Sequence, residues 1–525
     1  MAPVAMAGEA DLLSFDLDLG SLSLRVHTAP LAPPGFGTGV GLWNGGEQLA
    51  RFVASLPRTF ARSTTALELG CGASAAPARA LAARGGTAVA TDRGAGLLAL
   101  TARNVREDAH GRVHVAPLAW GDPGALAAAL AGLARPPTLV LAADVAYDED
   151  AWPALLATMA GAATAGGPAT RPAPVLVALP ARPESAGFLP AAASAGWCHR
   201  TLRAVPPADP SSVRTDIVQL WLGGPATTAR PTSLVIADFD WSCVEGNTDT
   251  LAASALGALA EAALAAATDA GRGWTAAMGA ALACGPAGVA ERGAAGVGMA
   301  AEVRGALAQA GAGRGGGAGA AATTTAGQGA RVAAATTAAL IIVSDANSRL
   351  IEAALAAHGL SGAPALIVTN PAGVGAAGEM TLAAFHGGGP PSPPSSEDGE
   401  ERAKLSCPAW HPPRRAAHAC RACPANLCKG AVVEALLASA RVPPGRVLYI
   451  GDGANDACPC VRLVEGGAPG DLVLARSHYP DGRAAPLAGA LQGKTGVSGG
   501  GARVVEWREA GEAGRAMKAW LDSGE

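Results

Sequence analysis

The sequence predicts an α/β protein built from two doubly wound domains, each with a parallel sheet covered by helices. Its 525 residues exceed what one hydrophobic core usually organises. Short apolar strands alternate with Ala- and Leu-rich helical stretches in two series, from residue 66 to 222 and again from residue 233. Turn-forming and small residues, GGPATTARPT, separate the two series. We therefore expect a first Rossmann-like domain at 15–222, a linker at 223–232 and a second Rossmann-like domain at 233–525.

Charge and hydropathy exclude some classes of partner. The formal net charge of -4 gives no basic surface of the kind that binds nucleic acid. No stretch of 18 strongly apolar residues occurs, and the acidic residues Glu9, Asp11 and Asp16 stand where a basic and then apolar leader would be expected. We expect no nucleic-acid or membrane partner and a cytoplasmic location, with an organelle left open.

The second series contains segments that differ from its strands and helices. Residues from about 250 to 335 have a helical pattern without strands, which indicates a helical cap inserted into the domain. Low-complexity tracts at 311–330 and 387–401 are rich in Gly, Ala, Pro, Ser and Glu. Such compositions do not build a packed core, so we expect both tracts to be unstructured loops without chemistry.

Four short motifs follow predicted strands of the second domain in order: ADFDWS, IIVSDANS, CKG and YIGDGANDACP. Asp238 comes directly after the apolar strand SLVIA, where a carboxylate can accept a phosphoryl group as a nucleophile. Asp240 follows on the same strand end and can act as general acid and then general base. Each motif alone fits an ordinary turn, but four in this order favour a phosphoryl-transfer site.

The same motifs predict a magnesium site. Carboxylates facing an anionic phosphate repel it unless a cation intervenes, and hard oxygen ligands suit Mg²⁺. We expect the ion to be held by Asp238, Asp452 and Asp240, the last also through its backbone carbonyl. Asp456 either holds metal-bound water or orients Lys429. Two further side chains, Ser344 and Lys429, are expected to neutralise the transferring phosphoryl oxygens.

These motifs, together with EGNTDT, GRGWTAAMGAAL, CPANLCKG and VVEW, resemble the phosphoethanolamine/phosphocholine phosphatase family of haloacid dehalogenase-like hydrolases and its plant relatives. The resemblance implies a haloacid dehalogenase-like fold and hydrolysis of small phosphomonoesters through an aspartyl-phosphate. Relatives act on phosphocholine, phosphoethanolamine, pyridoxal phosphate, thiamine monophosphate or pyrophosphate, and nothing in the sequence chooses among them. Ser242 stands where this family usually has Thr.

The cysteines indicate a reducing compartment, because ten of them are spread through a large chain. A denser group contains Cys407, Cys420, Cys423 and Cys428, with His411 and His418 nearby. This group fits either a structural Zn²⁺ site or reduced thiols that pack a loop. We favour reduced thiols.

The first domain contains a nucleotide-type turn. In LELGCGASAAPARAL an apolar strand runs through Gly70 and Gly72 into a helix, and Asp92 follows 20 residues later at the end of the next strand. This geometry suits a ribose with two free hydroxyls. Glu68 would repel the pyrophosphate of a dinucleotide but tolerates a cationic sulfonium amino acid. A purely structural strand-to-helix turn is the alternative.

The first domain also contains the segments GTGVGLWNGGEQLARFV, ELGCG, ATD, LAWGD and LVLAADVAYDEDAW. On these segments it resembles the seven-strand lysine methyltransferase-like family over about residues 15–222. The resemblance implies a class I methyltransferase-like fold and a protein substrate methylated on lysine. Asn44 replaces the family's usual Pro. The implied S-adenosylmethionine pocket is lined by Trp43, Glu68, Gly70, Gly72, Asp92 and Trp120, and Asp144 and Tyr147 are implied beside the acceptor amine.

More modest structural roles are the alternative for the aromatic residues of this group: Trp43 and Trp120 as core anchors, and Tyr147 as a cap on a strand end. The leading hypothesis for the whole chain is a bifunctional phosphatase and methyltransferase. A second hypothesis is that the first domain is a non-catalytic binding or scaffolding module. A third is that two neighbouring reading frames were joined in error, which one full-length transcript and one protein of full mass would exclude.

Overall fold

A computed structural model describes residues 12–20, 22–29, 37–108, 111–167, 172–207, 213–222, 233–312, 338–385, 420, 423–424, 426–440, 444–494 and 501–523. The chain divides into two compact units, Met1–Pro225 with Glu434–Pro443, and Ala226–Val433 with Pro444–Glu525. The expected linker at 223–232, the tract at 387–401 and most of the tract at 311–330 lie outside the described residues. Cys407, His411 and His418 also lie outside them.

The first unit opens with an antiparallel hairpin of β1 (Leu13–Asp18) and β2 (Ser23–Thr28). Its main sheet contains seven strands among the described residues. These strands are β3 (Thr65–Leu69), β4 (Thr87–Asp92), β5 (Val113–Pro117), β6 (Leu139–Ala143), β7 (Val175–Pro180), β8 (Trp197–Val205) and β9 (Thr215–Leu222). They lie in the order β5-β4-β3-β6-β7-β9-β8, parallel except where β9 pairs with β7 and β8. The order reverses between β3 and β6, which is where doubly wound sheets bind ligands.

Helices flank this sheet, and they bury both faces of its central strands. The helices are α1 (Asn44–Ser55), α2 (Arg58–Ser63), α3 (Ala76–Ala83), α4 (Ala95–Asp108), α5 (Pro123–Ala131), α6 (Trp152–Ala163) and α7 (Phe188–Ser194). Every residue of β3 and β7 is buried, because a parallel strand covered on both faces has no solvent side. In the core, the rings of Trp152 and Phe188 pack edge to face at 5.8 Å.

The second unit has a parallel sheet in the order β12-β11-β10-β15-β16-β17. Its strands are β10 (Ser233–Ala237), β11 (Ala338–Asn347), β12 (Pro364–Asn370), β15 (Arg446–Gly451), β16 (Leu472–Arg476) and β17 (Arg503–Trp507). A short hairpin of β13 (Ala372–Val374) and β14 (Met380–Leu382) lies apart from this sheet. The predicted fold class is therefore confirmed, since each unit is α/β with a doubly wound, largely parallel sheet.

The helices of the second unit fall into two groups. The group α8 (Thr248–Leu256), α9 (Ala258–Asp269), α10 (Trp274–Leu282) and α11 (Ala287–Ala295) builds a separate apolar cluster around Met278 and Leu282. The remaining helices are α12 (Ala301–Gly311), α13 (Ser348–Ala357), α14 (Lys429–Ser439), α15 (Ala457–Gly466), α16 (Pro486–Leu491) and α17 (Ala510–Ser523). Of α14, only the part before Glu434 belongs to this unit.

One expected limit of the cap is wrong. The cap expected at about 250–335 includes helix α12, but Val303 and Leu307 of this helix are buried in the same apolar cluster as the strands of the sheet. The apolar spacing of α12 predicts a helix and does not say which core that helix joins. The cap therefore comprises α8 to α11, and α12 belongs to the layer that covers the sheet. No helix in the described ranges combines the length and apolarity needed to cross a membrane.

Candidate active sites

Parallel pairing brings the motif residues of the second unit to one edge of its sheet. Ala237, the last residue of β10, pairs with Ile342 of β11 and with Ile450 of β15. Asp238 comes next, and its backbone N–H donates to the carbonyl oxygen of Ile450 at 3.0 Å. Ser344 and Asp452 follow the other two pairing residues by two positions each, so both lie at the same edge. Both side chains are buried.

A buried cluster of three carboxylates and one ammonium occupies this edge. Oxygen atoms of Asp238, Asp452 and Asp456 lie within 4.8 Å of one another. Nζ of Lys429 lies 2.8 Å from Oδ1 of Asp238 and 2.8 Å from Oδ1 of Asp456. Burial by itself lowers the pKa of Lys429, but Asp238 and Asp456 outweigh burial and hold this pKa well above its ordinary value. The lysine is therefore charged.

Asp452 is held by two hydroxyl groups that the sequence did not single out as site residues. The phenol of Tyr479 donates to Oδ2 at 2.7 Å, and the hydroxyl of Ser242 donates to Oδ1 at 2.8 Å. Burial, followed by repulsion from Asp238, raises the pKa of Asp452 well above its usual range. Tyr479 lies in no motif and 27 residues from its partner, so only the structure reveals the pair.

Asp456 organises the glycine-flanked turn. Its Oδ2 accepts from the backbone N–H groups of Gly453 at 3.0 Å and Asp452 at 3.2 Å. Its Oδ1 accepts from the phenol of Tyr449 at 2.7 Å and from Lys429 at 2.8 Å. Of the two roles considered for Asp456, this arrangement favours the orientation of Lys429.

The side chain of Asp240 lies outside the three-carboxylate cluster. Its Oδ1 accepts from the backbone N–H of Thr248 at 3.0 Å and from the Thr248 hydroxyl at 2.9 Å. Burial, followed by repulsion from Asp249, raises the pKa of Asp240 well above its ordinary value. A protonated Asp240 has the form that a general acid requires.

Asp249 joins the cap to the sheet edge. It accepts from Nε1 of Trp274, the first residue of α10, at 3.0 Å and from Nδ2 of Asn347, the last residue of β11, at 3.0 Å. Burial raises the pKa of Asp249 to about 7. The sequence included these residues in quoted motifs but gave none of them a role.

The cysteine group contains a member that the sequence did not indicate. Sγ atoms of Cys420, Cys423, Cys428 and Cys458 lie within 4.8 Å of one another. Cys458 is 30 residues beyond Cys428 along the chain, which is why the local spacing of the cysteines did not reveal it.

A cavity of about 640 Å³ opens at the switch point of the first unit's sheet. This volume suits a small-molecule or cofactor site. All of the residues predicted for the S-adenosylmethionine pocket and the acceptor side line the cavity: Trp43, Glu68, Gly70, Gly72, Asp92, Trp120, Asp144 and Tyr147. Trp43 is 47% exposed and Tyr147 48% exposed, so the alternative that Trp43 anchors the core is wrong.

The floor of this cavity is the Gly-x-Gly turn. Gly70 and Gly72 have φ of +66° and +58°, a left-handed conformation that favours glycine. Oδ2 of Asp92 accepts from the backbone N–H of Gly72 at 3.1 Å, which ties the end of β4 to the turn. Glu68 accepts from the backbone N–H of Ala78 in α3 at 2.9 Å, and burial raises the pKa of Glu68 to about 8.

Asp144 is held by two partners at the acceptor side of the cavity. Its Oδ2 accepts from the backbone N–H of Gly45 at 2.6 Å, and Nη1 of Arg182 lies 3.6 Å from its Oδ1. The Arg182 guanidinium also lies 5.7 Å from the centre of the Trp43 ring. Burial raises the pKa of Asp144. The sequence gave no signal for Arg182, which brings a positive charge to this side.

Comparison with family models separates the chain into the same two parts. Residues 34–186 match the model described as "Lysine methyltransferase", and residues 328–521 match the model described as "Putative Phosphatase". Each half resembles a different enzyme family. The resemblances expected from the sequence are therefore confirmed for both halves. The phosphatase match includes Ser344, Lys429, Asp452 and Asp456 and begins after Asp238.

Curated relatives resemble the phosphatase half. A thiamine phosphate phosphatase-like protein of Arabidopsis thaliana is 34% identical over 27% of this chain and 46% of its own length. The human phosphoethanolamine/phosphocholine phosphatase is 32% identical over 27% of this chain and 41% of its own length. Inorganic pyrophosphatase 2 of Arabidopsis thaliana is 28% identical over 27% of this chain and 41% of its own length. The chain thus spans less than half the length of these relatives.

The solved structures to which this chain is similar include methyltransferases. A predicted O-methyltransferase of Agrobacterium tumefaciens covers 33% of this chain and 81% of its own chain, with 18% identity and a TM-score of 0.25. The match to a methyltransferase of Pyrococcus furiosus covers 38% of this chain and 88% of that protein's chain, with 17% identity and a TM-score of 0.26.

Proposed function

We propose that the phosphatase half hydrolyses small phosphomonoesters through an aspartyl-phosphate at Asp238. The observation that carries this proposal is the buried ion pair between Asp238 and Lys429, placed beside Asp452 at the carboxyl edge of the sheet. An ordinary structural ion pair does not require a second and a third carboxylate within 4.8 Å, because each additional buried charge is costly.

In the first step, a carboxylate oxygen of Asp238 attacks phosphorus and the bond from phosphorus to the leaving oxygen breaks. Asp240 donates its proton to that oxygen, and the alcohol departs. In the second step Asp240 takes a proton from water, the water oxygen attacks phosphorus, and the acyl-phosphate bond breaks to release inorganic phosphate. The Lys429 ammonium offsets the charge on the phosphoryl oxygens throughout, and the Ser344 hydroxyl donates a hydrogen bond to them.

The donor set fits Mg²⁺. When ionised, the three carboxylates outnumber the single positive charge of Lys429, and a divalent cation would neutralise the excess negative charge. Asp238 and Asp452 would hold the ion with their side chains, and Asp240 would add its backbone carbonyl. Asp456, whose oxygens accept from Lys429, Tyr449 and backbone N–H groups, orients the lysine. The bound ion would polarise the phosphoryl group and reduce its repulsion from Asp238.

A panel of phosphorylated metabolites tests this function. It should include phosphocholine, phosphoethanolamine, pyridoxal phosphate, thiamine monophosphate and pyrophosphate, since the relatives named above differ in substrate. We expect turnover of at least one compound with Mg²⁺ and none after chelation. Hydrolysis that survives chelation would contradict the proposal.

We further propose that the first unit binds S-adenosylmethionine and methylates a lysine of a protein substrate. The supporting observation is that Asp92, Glu68, the Gly70–Gly72 turn and the half-exposed Trp43 line one cavity together with Asp144 and Tyr147, the residues expected at its acceptor side. Asp92 suits the ribose hydroxyls, and the ionised form of Glu68 suits the cationic amino acid part of the cofactor. The bound cofactor would supply the methyl group.

Titration calorimetry with S-adenosylmethionine separates this proposal from a scaffolding role. We expect saturable binding that S-adenosylhomocysteine competes with, and methyl transfer to protein from a lysate of the source cells. Absence of binding would refute the enzymatic version. Binding without any methyl transfer would favour the binding-module alternative.

A further inference from the structure

Four cysteines meet next to the phosphatase site in a geometry that the proposed phosphatase reaction does not use. We propose that Cys420, Cys423, Cys428 and Cys458 form a structural Zn²⁺ site in which all four ligands are thiolates. The four Sγ atoms lie within 4.8 Å of one another. Thiolates are soft ligands, and a tetrahedral set of four sulfurs selects zinc over magnesium or calcium.

The distances fit one ion at the centre of the four sulfurs. A zinc–sulfur bond of about 2.3 Å in a tetrahedron places neighbouring sulfurs about 3.8 Å apart. Sγ of Cys420 lies 3.8 Å from Sγ of Cys458. A disulfide would require about 2.05 Å, so this pair is not a cross-link. A cluster of several irons with bridging sulfides needs a wider opening than four sulfurs this close together provide.

Burial distinguishes these thiols from cysteines that pack a core. Cys243 is fully buried inside the apolar cluster of the sheet. Of the four grouped cysteines, only Cys428 is buried, while Cys420, Cys423 and Cys458 are partly exposed. Partly exposed thiols gain little from packing alone, whereas a shared ion accounts for their convergence.

The local backbone also suits a metal site. Cys420 and Cys423 have the two-residue spacing typical of zinc knuckles. The backbone N–H of Ala431 donates to Sγ of Cys428 at 3.4 Å, as N–H groups around metal thiolates do. At Gly430, an added Cβ would collide with Sγ of Cys458. A residue without a side chain therefore lets the start of α15, which carries Cys458, approach the start of α14.

The position of this site gives it a consequence for the neighbouring chemistry. Cys428 directly precedes Lys429, and Cys458 follows Asp456 by two residues. The ion would thus join the two segments that carry the Lys429–Asp456 ion pair. Its role is positioning, since none of the four cysteines belongs to the group assigned to the reaction.

Metal analysis of the full-length chain, purified without chelator, tests the proposal. We expect one zinc ion per chain by mass spectrometry, and X-ray absorption showing four sulfur ligands at about 2.3 Å. Cobalt substitution should give thiolate-to-cobalt charge-transfer bands. Cys458→Ser should lose most of the zinc, and Cys284→Ser, which changes a partly buried cysteine in the cap, should retain it.

The X-ray absorption spectrum of the unaltered chain decides the question even if Cys458→Ser does not fold. Three results would overturn the proposal: a chain isolated without zinc whose four thiols all react with maleimide, zinc bound through nitrogen or oxygen, or iron in place of zinc. Zinc retained by a folded Cys458→Ser variant would also overturn it. None of these measurements depends on turnover, so they remain decisive whether or not the chain is a phosphatase.

Discussion

At the scale of single residues, Asp238 forms an ion pair with the fully buried Lys429. We expect Asp238→Asn to abolish turnover, because an amide oxygen cannot accept the phosphoryl group. The fold should survive, since Lys429 keeps Asp456 as its partner. Phosphate release and thermal melting measure the two effects. Asp481→Asn, which changes an exposed carboxylate paired with Arg483, is the control and should keep full activity. Near-normal turnover in Asp238→Asn would defeat the mechanism.

Glu68 gives a prediction about pH in the other unit. Burial raises its pKa to about 8, so it is mostly protonated at neutral pH. A cationic ligand favours the ionised form, and the affinity for S-adenosylmethionine should therefore rise between pH 7 and 9. Calorimetry at pH 7 in buffers of different ionisation enthalpy should detect proton release on binding. Glu68→Gln should remove both effects, and an affinity that is independent of pH would contradict this interpretation.

The raised pKa of Glu68 also determines how the unfolding free energy changes with pH. Because the pKa of about 8 in the folded chain exceeds the ordinary glutamic acid value of 4.5, the folded chain binds the proton more tightly than the unfolded chain. The contribution of this proton to stability is complete below pH 4.5 and is lost as the pH rises through 8. Glu68→Gln should therefore flatten the fall in the unfolding free energy between those values.

At the scale of elements, the turn from β3 to α3 combines strain with close approach. Gly72 has φ of +58°, and an added Cβ would lie 2.9 Å from the carbonyl oxygen of Gly39. We expect Gly72→Ala to lower the unfolding free energy by at least about 1 kcal/mol and to weaken cofactor binding strongly. Gly111, with φ of +72° and nothing within 4 Å of an added Cβ, provides a matched control.

The Gly111→Ala control separates the effect of backbone strain from the effect of the close contact with Gly39. Gly111→Ala should lose about 1 kcal/mol from backbone strain alone and bind S-adenosylmethionine normally. Denaturant unfolding and calorimetry on both variants measure these quantities. Equal affinities for the cofactor in Gly72→Ala and Gly111→Ala would show that the turn does not shape the cavity.

The elements also show what the sequence could predict. Mostly apolar runs such as TALEL and SLVIA form fully buried parallel strands, and within each sheet the polar residues after such runs lie together because parallel strands share an edge. The motif residues of both sites could therefore be named in advance. Local pattern also predicted a helix at α12, but its packing against the sheet depends on long-range contacts.

Residues missed by the sequence analysis share one physical property, which is that their partners are distant along the chain. Tyr479 reaches Asp452 across 27 residues, and Ser242 reaches it across 210. Arg182 follows β7 and Asp144 follows β6, so helix α6 and strand β7 separate this pair along the chain. Hydrogen bonds and ion pairs of this kind leave no periodic signal, so no reading of spacing or hydropathy could find them.

At the scale of the whole molecule, each unit has its own apolar core and its own candidate ligand. A ligand that binds only the folded form of one unit should stabilise that unit alone, by about 2.7 kcal/mol at a concentration of 100 times its dissociation constant. Scanning calorimetry of the full chain should show S-adenosylmethionine raising one transition and Mg²⁺ with a phosphate analogue raising another. A single transition that responds equally to both ligands would contradict independent sites.

Trapping the covalent intermediate tests whether Asp238 becomes phosphorylated. The chain is quenched with acid during turnover of the best substrate in Mg²⁺, reduced with borohydride and digested for mass spectrometry. We expect reduction of one side chain, that of Asp238, and no reduction when chelator or the Asp238→Asn variant is used. A reduced side chain elsewhere, or steady turnover without any modification at Asp238, would contradict it.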